Sequence, residues 1–157
     1  QRTRADENTI SFPAIRLNAG FGGGSIGFGA TGGLSLQSNE DRMWTLRGEY
    51  IKEFRICIFG GCGEAEYRGS IGLLYGMFSG STLAYASISG GLAATFIGRD
   101  LDDTTFQHRA TVEFPIEGQA FLTPIPVLGI GLIATANFNP ISSYYGIFFV
   151  FQLNNQW

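Results

Sequence analysis

The sequence predicts an all-β chain: an eight-stranded antiparallel up-and-down transmembrane β-barrel. Three observations predict it. Apolar residues recur with period two along most of the 157 residues, which is the spacing of strands rather than helices. Charged residues make up only 15% of the chain, against roughly 25% in soluble domains. The faces opposite the apolar rows carry Ser, Thr, Gly and charges of both signs, not the Lys- and Glu-rich coat of a water-exposed sheet.

The length is that of one domain, with enough chain to build a core without disulfides or metals. Residues 1–12 read as a polar N-terminal tail and 13–157 as the barrel. The tail, "QRTRADENT", has no charged-then-apolar leader, as expected of a chain whose export signal is cleaved or was never present. Glycine, at 23 residues, is about twice as frequent as usual. At about 1 kcal/mol each relative to alanine, glycines at this density make long helices costly. No run reaches the roughly 18 to 20 apolar residues of a membrane-spanning helix. The nearest, Val127 to Ala136, is too short and carries two glycines. A closed barrel is the other architecture that satisfies every backbone group in lipid.

Each strand is justified by its alternation. The first sets Ile15, Leu17, Ala19 and Phe21 against Arg16, Asn18 and Gly20. The second, from Ser25, sets Ile26, Phe28, Ala30, Leu34 and Leu36 against Gly27, Gly29, Thr31, Ser35 and Gln37. The third places Trp44, Leu46, Gly48 and Tyr50 opposite Thr45, Arg47 and Glu49. The fourth places Tyr67, Gly69, Ile71, Leu73 and Tyr75 opposite Glu66, Arg68, Ser70 and Gly72. Ala84, Ala86, Ile88, Leu92, Ala94 and Phe96 form the fifth apolar row, away from Tyr85, Ser87, Ser89 and Thr95. Phe106, Ala110, Val112, Phe114 and Ile116 form the sixth, away from Gln107, Arg109, Thr111 and Glu113. Leu128, Ile130, Leu132, Ala134, Ala136 and Phe138 make the seventh. Tyr145, Ile147, Phe149, Phe151 and Leu153 make the eighth, in register with Trp157.

The connections alternate as well. "QSNEDR", "FSGST" and the "EGQ" region around Gly118 read as tight turns. "RICIFGGCGE" and "IGRDLDDTT" read as longer loops, and "FNPISS" is intermediate. Even strand number with alternating short turns and longer loops puts both termini on one side. In lipid the apolar rows face outward, and the polar rows fill a lumen that eight strands leave only wide enough for side chains. Arg16, Arg47, Glu49, Glu66, Arg68, Arg109 and Glu113 then form a lumen charge network. The Arg47/Glu49 and Glu66/Arg68 pairs lie on consecutive strands, so opposite charges can meet across them. Trp44, Tyr50, Tyr67, Tyr75 and Tyr145 fall near strand ends, where aromatic girdles occur.

The C-terminus, "YYGIFFVFQLNNQW", leads alternating apolar residues to a terminal aromatic. With the eight alternating rows, it resembles the small eight-stranded bacterial outer-membrane barrels of the OmpA transmembrane-domain and OmpX type. The resemblance covers roughly residues 13 to 157 and is one of architecture, without a family-specific motif. It implies a bacterial outer-membrane location with both termini periplasmic. It also implies that Tyr145, Ile147, Phe149, Phe151, Leu153 and Trp157 act as the C-terminal signal read by the insertion machinery. The polar "NNQ" before Trp157 departs from that signal.

Other motifs carry less. Gly27-Phe28-Gly29-Ala30-Thr31-Gly32 fits G-x-G-x-x-G, but a strand follows where a dinucleotide site needs a helix. Cys57 and Cys62 bracket "IFGG", a spacing that departs from C-x-x-C. Two Cys and one His exclude an internal four-ligand zinc site, and a local disulfide at a hairpin tip is the reading adopted. Ile56, Ile58 and Phe59 in that loop are either packed or a partner-docking knob. His108 falls on the apolar face without a serine motif nearby, so it reads as interfacial rather than catalytic. Asp100, Asp102 and Asp103 read as a solvated run rather than a calcium site. A net charge of −3 gives no support for nucleic-acid binding.

These residues imply a non-enzymatic outer-membrane barrel with a filled lumen, structural or accessory to an envelope protein assembly. Membrane lipid and a larger outer-membrane protein complex are the expected partners, and no cofactor is called for. The alternatives are a lipid-modifying envelope enzyme using His108 and a soluble barrel holding an apolar ligand.

Overall fold

Period two, sustained over ten residues or more, gives each strand one face of each character, and closure of the sheet decides which face is inside. The computed structural model describes residues 14–38, 41–53, 66–81, 83–102 and 105–155. The strands are β1 (Ile15–Gly24), β2 (Phe28–Gln37), β3 (Arg42–Lys52), β4 (Glu66–Gly80), β5 (Ala84–Asp102), β6 (Thr105–Ile125), β7 (Leu128–Phe138) and β8 (Tyr144–Asn154). Each pairs antiparallel with the next, and β8 returns to β1, so the sheet is a closed barrel. Residues 1–13, and with them the proposed tail, lie outside the described residues.

The barrel is inverted relative to a water-soluble one. Leu17, Phe21, Leu46, Ile71, Leu92, Leu132 and Ile147 are all exposed on the outer wall. Arg16, Asn18, Thr31, Arg47, Glu49, Arg68, Ser89, Glu113 and Glu117 are buried inside. This is the arrangement of a barrel in lipid, and it removes the soluble, ligand-holding alternative. The inner face also holds an apolar cluster of Ile51, Tyr85, Phe121, Ile133, Tyr144, Phe148 and Val150. These residues close part of the lumen by ordinary packing.

Aromatic residues mark both ends of the outer wall. Trp44 and Tyr75 sit with ring centroids 4.6 Å apart at the end where β1 begins and β8 stops. Tyr50, Tyr67 and Tyr145 lie at the other end. Tyr67 and Tyr75 are eight residues apart on β4. At about 3.3 Å per residue and a tilt of about 40°, that is roughly 20 Å along the axis, close to the height of a lipid-facing band.

Three boundaries differ from the sequence expectation. The reversal expected at "EGQ" does not occur there: β6 runs through Glu117, Gly118 and Gln119 to Ile125, and the chain turns at Pro126–Val127. Alternation is unbroken across Gly118, where a Cβ would meet nothing within 4 Å, so the glycine is no signal of a turn. The loop expected at "IGRDLDDTT" is instead mostly ladder, since β5 and β6 stay paired as far as Asp102 and Thr105. Finally, β2 begins at Phe28 rather than Ser25. Gly27 has φ +156°, and a Cβ on it would lie 2.1 Å from the Lys52 carbonyl oxygen. That tight turn swings Ile26 against the inner cluster instead of outward.

Candidate functional site

The lumen is where this chain concentrates its charge. Arg47 on β3 lies in a register row with Gly33, Gly72, Ala93 and Glu113. Small neighbours leave the guanidinium room to cross the barrel: a Cβ on Gly72 would already lie 2.6 Å from that of Ala93. Arg47 Nη1 donates to Glu117 Oε2 at 2.7 Å and to Thr135 Oγ1 at 2.8 Å, and Nη2 donates to Asn137 Oδ1 at 3.0 Å. Nη2 also lies 2.9 Å from Glu49 Oε2. One side chain thus ties β3 to β6 and β7 on the far wall. Glu117 is held from its other oxygen by Gln119 Nε2 at 2.6 Å, and Asn137 Nδ2 donates to Thr135 Oγ1 at 3.1 Å.

A second cluster sits nearer the end away from the termini. Arg68 on β4 pairs with Glu113 on β6, donates through Nη1 to the Ser142 carbonyl at 2.6 Å, and lies 4.3 Å over the Tyr144 ring. It therefore fastens the β7–β8 connection over the lumen mouth. The third guanidinium, Arg16, is at the opposite end. It donates to Gln37 Oε1 at 3.2 Å and stacks against Phe78 (5.0 Å) and Tyr85 (4.7 Å). Tyr85 accepts from Gln152 Nε2 and stacks on Phe121 at 5.2 Å.

The structure divides the expected seven-residue network. Arg47 and Glu49 meet, as do Arg68 and Glu113. The pairs do not meet across adjacent strands: Glu49 is registered with Ser70 and Arg47 with Gly72, Arg47 meets Glu49 two residues along its own strand, and the other carboxylate partners come from β6. Arg16 stands apart, held by an amide, a thioether and two rings. Glu66 is half-buried at the rim, registered with Arg99. Arg109 lies on the inward-facing row but is exposed above the lumen, so it is not part of the buried network. Sequence reasoning missed Glu117, Gln119, Thr135 and Asn137. The first two fall in the stretch that reads as a turn; the alternation that places Glu113 inside, counted four and six residues further, finds them.

His108 is exposed on the outer face, where its Nδ1 lies 3.1 Å from the Tyr67 hydroxyl. Neither a serine nor a carboxylate contacts it among the described residues. Cys57, Cys62, Ile56, Ile58 and Phe59, with the disulfide and docking knob expected there, lie outside the described residues. Tyr145, Ile147, Phe149, Phe151 and Leu153 form an exposed outer row on β8, while Trp157 lies outside the described residues.

No protein-family model matches the chain, and a search of curated proteins finds no match either. Solved structures do resemble it. The N-terminal β-barrel domain of Pseudomonas aeruginosa OprF superposes with a TM-score of 0.70 at 9% identity, covering 90% of this chain and 96% of that one. A major outer membrane protein from Thermus thermophilus gives 0.70 at 9% identity, covering 92% and 100%. Ail, the attachment invasion locus protein of Yersinia pestis, gives 0.61 at 10% identity, covering 92% and 99%. At such identities the likeness is one of fold, and the fold it shows is the eight-stranded barrel of outer-membrane proteins.

Proposed function

We propose that the chain is a non-enzymatic barrel of the bacterial outer membrane with a lumen closed by its own side chains. It serves as a structural or accessory subunit of an envelope protein assembly, bathed in membrane lipid and needing no cofactor. The observation that carries this reading is the reach of Arg47, which bridges β3 to Glu117, Thr135 and Asn137 across the lumen. A pore would need that cross-section open. Both termini are assigned to the periplasm, because β1 begins and β8 stops at the end with the connections between β2 and β3, β4 and β5, and β6 and β7. The other end carries the tight turn 25–27, the connection between β3 and β4, the long β5–β6 hairpin and 139–143, so all but one of its connections are the more extended ones. Outer-membrane barrels keep their short turns on the periplasmic side.

Planar-bilayer recording tests the closed lumen. The expected result is a heat-modifiable, membrane-inserted barrel without steady conductance, and a stable ohmic pore would refute it. The enzymatic alternative is tested in cells that express the chain. His108→Ala is expected to leave envelope lipid composition unchanged, and a loss of lipid turnover would restore that alternative.

A further inference from the structure

The strand register sets heights on the outer wall. The row that leaves β1 at Ile15 passes through Trp44 and Ile116 and returns to β1 at Ser25, ten residues further on. A line of constant height therefore drops about one and a quarter residues per strand. Starting from Trp44 in the girdle, it crosses β6 at Ala120 and β7 at Gly131. Where β3 and β4 carry Trp44 and Tyr75, β5 and β6 carry Ala86 and Ala120, registered with each other. With Ala84 they floor an apolar trough of about 640 Å³, walled by Leu122, Leu132 and Phe149. Its axis follows one register row from Ser79 on β4 to Phe149 on β8. Four strand spacings make that roughly 19 Å, the length of a helix of about 13 residues. The row is inclined about 40° to the membrane plane, so a lipid chain along the normal crosses the trough instead of following it.

The apolar surface continues below the girdle. Leu83 in the β4–β5 turn, and Ile125 and Val127 at the β6–β7 turn, are exposed. They lie about four to five residues below the height of Trp44, which is roughly 10 Å beyond the lipid band. Large apolar side chains held together in water mark binding surfaces. The β2–β3 turn at the same end is polar instead, with Asp41 3.5 Å from Arg42. The apolar ledge is also rigid. Thr123 N donates to the Leu83 carbonyl at 2.8 Å, and Asn154 N to the Val127 carbonyl at 2.9 Å. Asn154 Nδ2 donates to the Pro126 carbonyl at 3.3 Å, so both turns are fastened to the wall.

We propose that trough and ledge together seat one amphipathic helix of a partner protein, approaching from the periplasmic side. Its apolar stripe, at i, i+3, i+4 and i+7, lies over Ala86 and Ala120, and its lower end packs on Leu83 and Ile125. Its polar face stays among headgroups and water. No charged side chain lines the trough among the described residues, so apolar shape selects the partner. A second barrel needs more: stable interfaces take about 20–30 residues a side. This rests on the accessory-subunit reading and gives it a docking surface.

The test uses the whole barrel in phospholipid nanodiscs and a nitroxide-labelled synthetic helix of Leu and Gln, with Leu at that spacing. Amide signals of residues 83–86 and 120–127 are expected to broaden. Those of Leu17, Leu34 and Trp44, near the same height on β1–β3, are expected to stay sharp. Ala86→Leu with Ala120→Leu fills the trough and should weaken binding at least tenfold, while Ala30→Leu, outward on β2, should leave it unchanged. Leu83→Ser with Val127→Ser tests the ledge without touching the wall and should weaken binding at least fivefold. The same peptide composition without the stripe should bind at least tenfold more weakly. Uniform broadening around the barrel would overturn the proposal, as would binding indifferent to both variant pairs, or no binding at all. So would a filled trough that changes only the phospholipid retained on purification, which marks a lipid chain as occupant. A concentration-dependent dimer abolished by filling would mark a second copy and overturn it too. A non-conducting barrel without helix binding sinks only this inference, whereas a conducting barrel that binds the helix sinks only the closed lumen.

Discussion

Replacing Arg47 by Met keeps most of the side-chain volume and deletes the charge. Glu49 makes no other ion pair among the described residues, so the variant leaves it buried with only the more distant Arg68 to offset its charge. Glu117 retains only the Gln119 amide. Thr135 and Asn137 keep each other at 3.1 Å and lose little. Breaking a buried pair by removing one partner costs about 3–5 kcal/mol, because the orphaned charge stays in low dielectric. The two hydrogen bonds from the guanidinium to neutral acceptors, Thr135 and Asn137, add about 1 kcal/mol between them because those acceptors keep each other. The expected loss is therefore about 4–6 kcal/mol, read by reversible urea unfolding in lipid vesicles. Adding Glu49→Gln and Glu117→Gln to the same chain removes both orphaned charges, and stability is expected to return to within about 2 kcal/mol of the parent. A single-variant loss under about 1 kcal/mol would refute the reasoning, as would a triple variant no better than the single.

Three further outcomes are expected from the wall. Gly29→Ala aims a Cβ to within 2.0 Å of the Tyr50 carbonyl oxygen and should cost about 1–3 kcal/mol, whereas Gly118→Ala meets nothing and should stay within about 0.5 kcal/mol. Equal yields of heat-modifiable barrel from both would count against the packing described. Ile71→Arg, on the outer wall between the two aromatic girdles, should destabilise the vesicle-inserted barrel by about 2–4 kcal/mol, and a neutral result would place that wall in water. Trp44→Ala should lose about 0.5–1.5 kcal/mol of ring pairing with Tyr75, in addition to its area, and a double-mutant cycle with Tyr75→Ala should isolate that coupling.

The wall was legible in the sequence because its code is local. Alternation from Ile15 to Leu153 assigned a face to each strand, and the structure keeps the outward rows of β1, β3, β4, β5, β7 and β8 as read. Glycine misled the boundaries, since it serves two purposes that look alike in one dimension. Gly27 makes a turn, while Gly118 lies in the middle of a strand. The lumen was legible only as a set of inward residues. Which of them meet depends on the stagger of eight strands around a closed sheet, and that stagger brings Arg47 to Glu117, 70 residues away. Arg109 failed for a related reason: its parity is inward, but β6 outruns β7, so there is no lumen at its height.

The buried charges sit on few strands, and this bears on how the barrel finds its register. Among the described residues, Arg16, Arg47, Arg68, Glu49, Glu113 and Glu117 are the buried charges, and they occupy only β1, β3, β4 and β6. A one-residue slip flips every side chain to the other face. For β3 that would carry both Arg47 and Glu49 into lipid, at about 2–4 kcal/mol for the arginine alone near the midplane. Buried pairs of this kind contribute little net stability over an apolar core, but they make the wrong register expensive. The other four strands, β2, β5, β7 and β8, carry no buried charge among the described side chains and pair on at least one side with a strand that does. The charges thus act as pins, one in every adjacent pair except β7 with β8. There the inward Phe148, Val150 and Ile133 pack into a single cluster, and apolar fit has to fix the register alone.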